Sequence, residues 1–251
     1  MAILGTLVNA LAIIAGGLLG LVLPRLTEGI RTTVMQGISF SVSILGLTMA
    51  IKTDNFLVMV SSLVLGGVVG EILQVERALQ RLGDKLEQAV NMIGQFKPFR
   101  RIWEKSEGKV AAGFVNTTLI YCVGAMAILG AMDSGIRHNH DVLYMKSMLD
   151  GFSAIIFAST LGVGVLFSSL PVFLYQGLIA LSANGIAGLF DKAMLDEMIA
   201  QVTAVGGVLI IGIGINLLGV LKINIANLLP SVLFAALSVP FLAWISSFIH
   251  V

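Results

Sequence analysis

Apolar residues run through this chain in blocks of helical length, and one charged stretch between Gln74 and Lys109 divides them. Segments such as Leu11–Leu23 and Leu161–Phe167 are apolar on consecutive positions. A membrane β-barrel would instead alternate over roughly ten-residue segments, so the pattern predicts helices. A bilayer core of roughly 30 Å takes about 20 helical residues per crossing. On that measure we read about eight crossings, at 3–23, 34–52, 55–74, 110–132, 147–169, 171–190, 200–219 and 229–249. Pro24, the Lys52-Thr53-Asp54-Asn55 turn, Ser168-Ser169-Leu170-Pro171 and Asn227 to Pro230 punctuate them.

Composition turns this pattern into a class. The chain is 57% hydrophobic and 12% charged, with a mean hydropathy of +0.98, whereas soluble domains average roughly 25% charged residues. It cannot cover itself in water, so the expectation is a single all-α polytopic membrane domain. No basic stretch and no small-residue cleavage site accompany the first apolar run, which therefore reads as a membrane helix rather than a removable signal. The single cysteine, Cys122, excludes an intramolecular disulfide and reads as a small buried hydrophobe.

The net charge of +1 hides an asymmetry. Arg25, Arg31, Arg77, Arg81, Lys85, Lys97, Arg100, Arg101, Lys105, Lys109 and Lys222 fall on one side of the expected topology. Only Lys52, Arg137, Lys146 and Lys192 fall on the other. Basic loops stay cytoplasmic, which puts both termini outside. Within the charged block, Val75, Leu79, Leu82, Leu86, Val90 and Ile93 form one helical stripe. The third membrane helix is expected to run straight into this amphipathic segment, which lies on the lipid surface, on a partner helix or on its own membrane domain. The following Lys97-Pro98-Phe99-Arg100-Arg101-Ile102-Trp103 suits an anionic leaflet, and no nucleic-acid role is assigned to it.

Two stretches of the chain match each other. Gly5-Thr6-Leu7-Val8-Asn9 pairs with Gly113-Phe114-Val115-Asn116, and Gln36-Gly37-Ile38-Ser39 with Asp150-Gly151-Phe152-Ser153. The organisation this suggests is a first three-helix unit at 1–74, the amphipathic and basic segment at 75–109, a second three-helix unit at 110–190, and two further helices at 191–251. Three crossings per unit make the second copy inverted, an architecture shared by many secondary transporters with sites at the repeat interface.

Candidate chemistry lies in polar residues at membrane depth, where ionisable groups face a cavity or a partner. Asp150 sits inside the fifth helix with Lys146 one turn earlier, and Glu71 follows a glycine-rich run in the third. The simpler accounts are an i, i+4 pair for Asp150 and the start of a solvated helix for Glu71. Asn9, Asn116, Thr117 and Ser153 complete the candidate solute- or ion-binding set. Gln176, Asn184 and Asn216 also interrupt apolar helices, and interhelical hydrogen bonding accounts for most such residues. The Gly16-xxx-Gly20 and Gly66-xxx-Gly70 pairs read as packing faces. Gly162-Val163-Gly164 and Gly212-Ile213-Gly214 are read as packing or as interrupted helices. His138-Asn139-His140-Asp141 carries metal-ligand types but reads as a solvated loop. With no Ser/His/Asp set, phosphate loop or HExxH motif, neither an enzyme, a cofactor nor a metal is expected.

Gly5-Thr6-Leu7-Val8-Asn9, Tyr121-Cys122-Val123-Gly124-Ala125-Met126, Lys146-Ser147-x-Leu149-Asp150-Gly151-Phe152-Ser153 and Pro171-Val172-x-Leu174-Tyr175-Gln176-Gly177 together carry a resemblance. The whole chain resembles the YdfK/YqgA-like family of bacterial integral membrane proteins. The resemblance implies a bacterial inner-membrane location and supplies no substrate or site. The function expected is passage of a small solute or ion through a secondary transporter. Asn9 and Asn116 would be equivalent positions of a central site, Asp150 the coupling charge and Glu71 a cytoplasmic-side charge. The competing readings are a membrane scaffold or regulator that recruits partners through the amphipathic helix, and an ion channel. The expected partners are the lipid bilayer, the solute or ion, and further copies of the chain.

Overall fold

The computed structural model describes residues 1–22, 28–53, 55–78, 81, 85, 88, 109–122 and 125–249. Ten helices follow one another among the described residues: α1 (Leu4–Val22), α2 (Glu28–Ala50), α3 (Phe56–Leu73), α4 (Val110–Cys122), α5 (Ala125–Ile136), α6 (Asp141–Leu161), α7 (Gly164–Phe167), α8 (Ser169–Leu189), α9 (Lys192–Leu218) and α10 (Pro230–Ile249). A 3-10 turn at Ile225–Leu228 precedes the last of them. Six stretches are long and apolar enough to cross a membrane: α1, α3, α6, the run Gly164–Ile186, α9 and Ile225–Ser246. Helices α4 and α5 meet the same criterion as a bent pair, while α2 contributes a shorter apolar stretch, Met35–Ala50. This is an all-α polytopic membrane fold.

Contacts group the helices into two compact units, and each draws on both halves of the chain. The first takes in residues 1–33, 78–122 and 126–184; the second takes in 34–77, 123–125 and 185–251. Most of the amphipathic stripe (Leu79, Leu82, Leu86, Val90 and Ile93) and the whole 97–103 segment lie outside the described residues.

In the first unit α1 turns Leu7, Leu11, Leu18 and Val22 outward, while Thr6, Asn9, Ala10, Ile13, Gly16 and Gly20 are buried. Lipid is as apolar as leucine, so such helices associate through close packing rather than through the hydrophobic effect. The Gly16-xxx-Gly20 face supplies it. A β-carbon at Gly16 would meet the Gly151 carbonyl of α6, and one at Gly20 the Ile155 carbonyl. The contacts climb together from Gly5 against Leu143 to Gly20 against Ile155, so α1 and α6 run parallel. The loop before α6 is tied to the start of α1. Ser134 donates its one hydroxyl proton to the Ala2 carbonyl (2.5 Å), leaving Nδ1–H of His140 to donate to Ser134 at 2.8 Å.

In the second unit α9 is the most enclosed of the spans. Gly207 packs against Gly46 and Ala50 of α2, and Gly214 against Ser39 and Ser43, so α2 and α9 are antiparallel. The Gly66-xxx-Gly70 pair lets α3 lie against Ser231 of α10 and Asn227 of the 3-10 turn before it, again antiparallel.

Two differences from the sequence reading have local causes, and one alternative left open there resolves to packing. The turn between the fifth and sixth crossings falls at Gly162-Val163, not at 168–171. Gly162 adopts φ 81°, ψ −160°, a region that side chains exclude, whereas Pro171 sits in the first turn of α8, where no backbone N–H is required. Gly212-Ile213-Gly214 stays helical within α9, its glycines admitting Ile225 and Ser43. The third helix does not run on. Gln74 takes a left-handed conformation (φ 53°, ψ 44°) and donates its N–H to the Glu71 carbonyl, ending α3 before helix resumes at Val75.

The Gly162 conformation yields a measurable expectation. Gly162→Ala should lower stability by about 1–3 kcal/mol, whereas Gly177→Ala, inside α8 with nothing near its added carbon, should be neutral or stabilise by about 0.5–1 kcal/mol. Thermal unfolding of the two variants side by side checks this.

Candidate functional site

The buried stripe of α6 carries Leu143, Lys146, Ser147, Asp150 and Ala154, three and four residues apart. Lys146 and Asp150 are thus one turn apart and both enclosed, at 7% and 6% exposure. Lys146 Nζ lies 2.9 Å from Oδ1 of Asp150 and 2.7 Å from Oδ2. Two charges removed from water together cost far less than one alone.

Asn9 of α1 and Gln176 of α8, both fully buried, extend this pair across two further helices. Asn9 Nδ2 donates to Asp150 Oδ2 (3.0 Å) and to Gln176 Oε1 (3.2 Å). The carboxylate fixes every orientation in this chain. It only accepts, so Asn9 must present its NH2; that NH2 then demands the carbonyl of Gln176. What remains is Asn9 Oδ1 and Gln176 Nε2, both buried and without a hydrogen-bond partner among the described residues. Thr6 Oγ1, three residues before Asn9 on α1, is in the same condition.

Ser153 and Tyr121 flank the pair. Ser153 Oγ is 3.0 Å from the Asp150 carbonyl and 3.2 Å from the Tyr121 hydroxyl. Because a carbonyl only accepts, Ser153 gives its proton there and Tyr121 donates to Ser153. The Tyr121 ring centroid is 6.0 Å from Lys146 Nζ, at the outer limit of cation–π attraction.

The structure thus brings Asn9, Asp150 and Ser153 of the expected set together, and adds Lys146, Gln176, Thr6 and Tyr121. Asn116 is half-buried on α4 and makes none of these bonds. Thr117 is buried but turns its hydroxyl back to the Gly113 carbonyl at 2.6 Å. Glu71 belongs to the second unit, where Asn227 Nδ2 donates to its Oε2 (2.6 Å) and Asn227 Oδ1 accepts from the Glu76 backbone (2.7 Å). This joins the end of α3 to the turn before α10. Gln176 was visible in the sequence as one polar residue in an apolar helix. Nothing in its own segment marked it above Asn184 or Asn216, because its partner is 167 positions away.

Comparison with known proteins gives this geometry a family but no activity. The chain is 29% identical to the "Uncharacterized membrane protein YdfK" of Bacillus subtilis over 234 residues, covering 91% of this chain and 92% of that protein. It is 30% identical to the "Uncharacterized protein YqgA" of Escherichia coli over 244 residues, covering 96% and 99%. No solved structure is significantly similar. The model of the family described as "Protein of unknown function (DUF554)" matches residues 4–240, and the chain belongs to that family of membrane proteins.

Proposed function

We propose that the protein moves a small solute or ion across the bacterial inner membrane as a secondary transporter, and that it is not an enzyme. One observation carries this reading. Three apolar spans converge on a buried ion pair whose amide neighbours keep an acceptor and a donor unpartnered among the described residues. Groups this costly to desolvate are retained at membrane depth mainly where a solute, ion or proton meets them. Asp150 is the coupling charge in this reading, held ready by Lys146 and Asn9, and Asn116 is the counterpart of Asn9 in an inverted repeat. Reconstitution into liposomes tests it: solute-driven uptake or current should be present in the wild type. Asn9→Ala should reduce it at least tenfold, and Asn116→Ala should do likewise if the two positions are equivalent. Equal transport in wild-type and Asn9→Ala vesicles would return the array to a purely structural role.

Chain directions support eight crossings. Between the antiparallel α3 and α10 lie the spans α6, α8 and α9, so the bent pair α4–α5 must add one more to make the number even. Between the parallel α1 and α6 lie α3 and that pair, so α2 must also cross to make the number odd. Eight crossings put both termini on one side, and the basic asymmetry puts that side outside. In a Cys122→Ser background, a cysteine at position 100 should stay unlabelled by an impermeant thiol reagent on intact cells and react after permeabilisation. Labelling without permeabilisation would invert the orientation.

A further inference from the structure

We propose that the ligand of this array is an uncharged solute of the carboxamide type, with an N–H donor beside a C=O acceptor; this rests on the transport reading and narrows it. Lys146 and Asp150 already neutralise each other, and both oxygens of Asp150 are engaged, Oδ1 by Lys146 and Oδ2 by Lys146 and Asn9. A cation would have to displace Lys146 from the carboxylate, and an anion would have to displace Asp150 from the ammonium. Either leaves one buried charge unpaired, the costliest arrangement available here. Among the described residues, the groups still free to bind are neutral: the acceptor Asn9 Oδ1, the donor Gln176 Nε2 and the Thr6 hydroxyl. All three residues are fully buried. A carboxamide carries the complement of each of the first two, a C=O to accept from Gln176 and an N–H to donate to Asn9. A site built from buried hydrogen-bonding groups rejects ligands that leave them unmatched more strongly than an apolar site rejects a change of size.

Three probes on one skeleton separate the classes: N-acetylglycinamide (uncharged), N-acetylglycine (anion) and glycinamide (cation), each added to the full-length protein in nanodiscs. N-acetylglycinamide should raise the unfolding midpoint saturably, by about 2–4 °C near saturation, with no such shift from the charged pair. Gln176→Met removes the free amide at similar volume and should abolish the shift. Should that variant fail to fold, Thr6→Val, nearly isosteric, should reduce it. A shift from either charged probe alone, no shift from any, or an amide shift unchanged in these variants would overturn the carboxamide assignment. Vesicle flux is read separately. Binding of N-acetylglycinamide with no mediated flux would retain the ligand class and remove the transport reading. Ion flux that depends on Asp150 with no amide binding would do the reverse.

Discussion

Asp150→Asn should lower the stability of the protein by about 3–5 kcal/mol, because it leaves the Lys146 ammonium buried without a counter-charge. The matching change on the other partner, Lys146→Met, should cost a similar amount by stranding the carboxylate. The double variant Lys146→Met/Asp150→Leu removes both charges at roughly constant volume and should recover most of the loss, since apolar replacement of a buried pair is often neutral or stabilising. Transport should follow another order. All three variants should be inactive, including the stable double one, because each lacks either the carboxylate at which coupling is proposed or the ammonium that holds it ready. Unfolding midpoints and vesicle flux measured on the same preparations separate the two roles. A stable double variant that transports at the wild-type rate would reduce the pair to a packing device.

Gly16→Ala combined with Gly20→Ala should be severely damaging to both stability and transport. Each added carbon meets a backbone carbonyl of α6, at Gly151 and at Ile155, and a carbonyl cannot rotate away as a side chain can. Overpacking ordinarily costs about 1–3 kcal/mol per site, and the only relief here is to part the two helices. Parting them also lengthens the 3.0 Å bond from Asn9 to Asp150, so transport should fall with stability. Gly37→Ala, with nothing near the new carbon, is the control and should behave as wild type. Thermal unfolding and flux on the three proteins provide the check; a wild-type midpoint for the glycine pair variant would mean that the helices are not in backbone contact.

The sequence made the class and most helix positions legible because a bilayer imposes length and apolarity on each span separately. The bounds of α1, α3 and α10 fall within a residue or two of the pattern, whereas the single crossing expected at 110–132 is the bent pair α4–α5. It was less informative wherever a boundary depends on contact. The Ser-Ser-Leu-Pro stretch looked like a loop, but Pro171 fits inside a first helical turn, and the true turn rests on the positive φ of Gly162. Part of the site was legible for the same reason. Asn9 and Asp150 are conspicuous because a bilayer makes polarity expensive one residue at a time. Their bond to each other, and the part taken by Gln176, depend on three helices meeting, which no local pattern encodes.

The span of sequence joined by those bonds has a consequence for biogenesis. Asn9 leaves the ribosome well before either partner, which follow it by 141 and 167 positions. α1 must therefore enter the bilayer with its amide unsatisfied and wait, carried by a mean hydropathy of 2.0 over the span. The array can close only after α8 has been inserted. Proteins whose contacts are this remote in sequence form them late, and nascent chains meanwhile expose surfaces that invite wrong partners. A chain arrested before α6 is made would thus hold a first helix that is inserted but not yet docked, the kind of intermediate that membrane quality control would intercept.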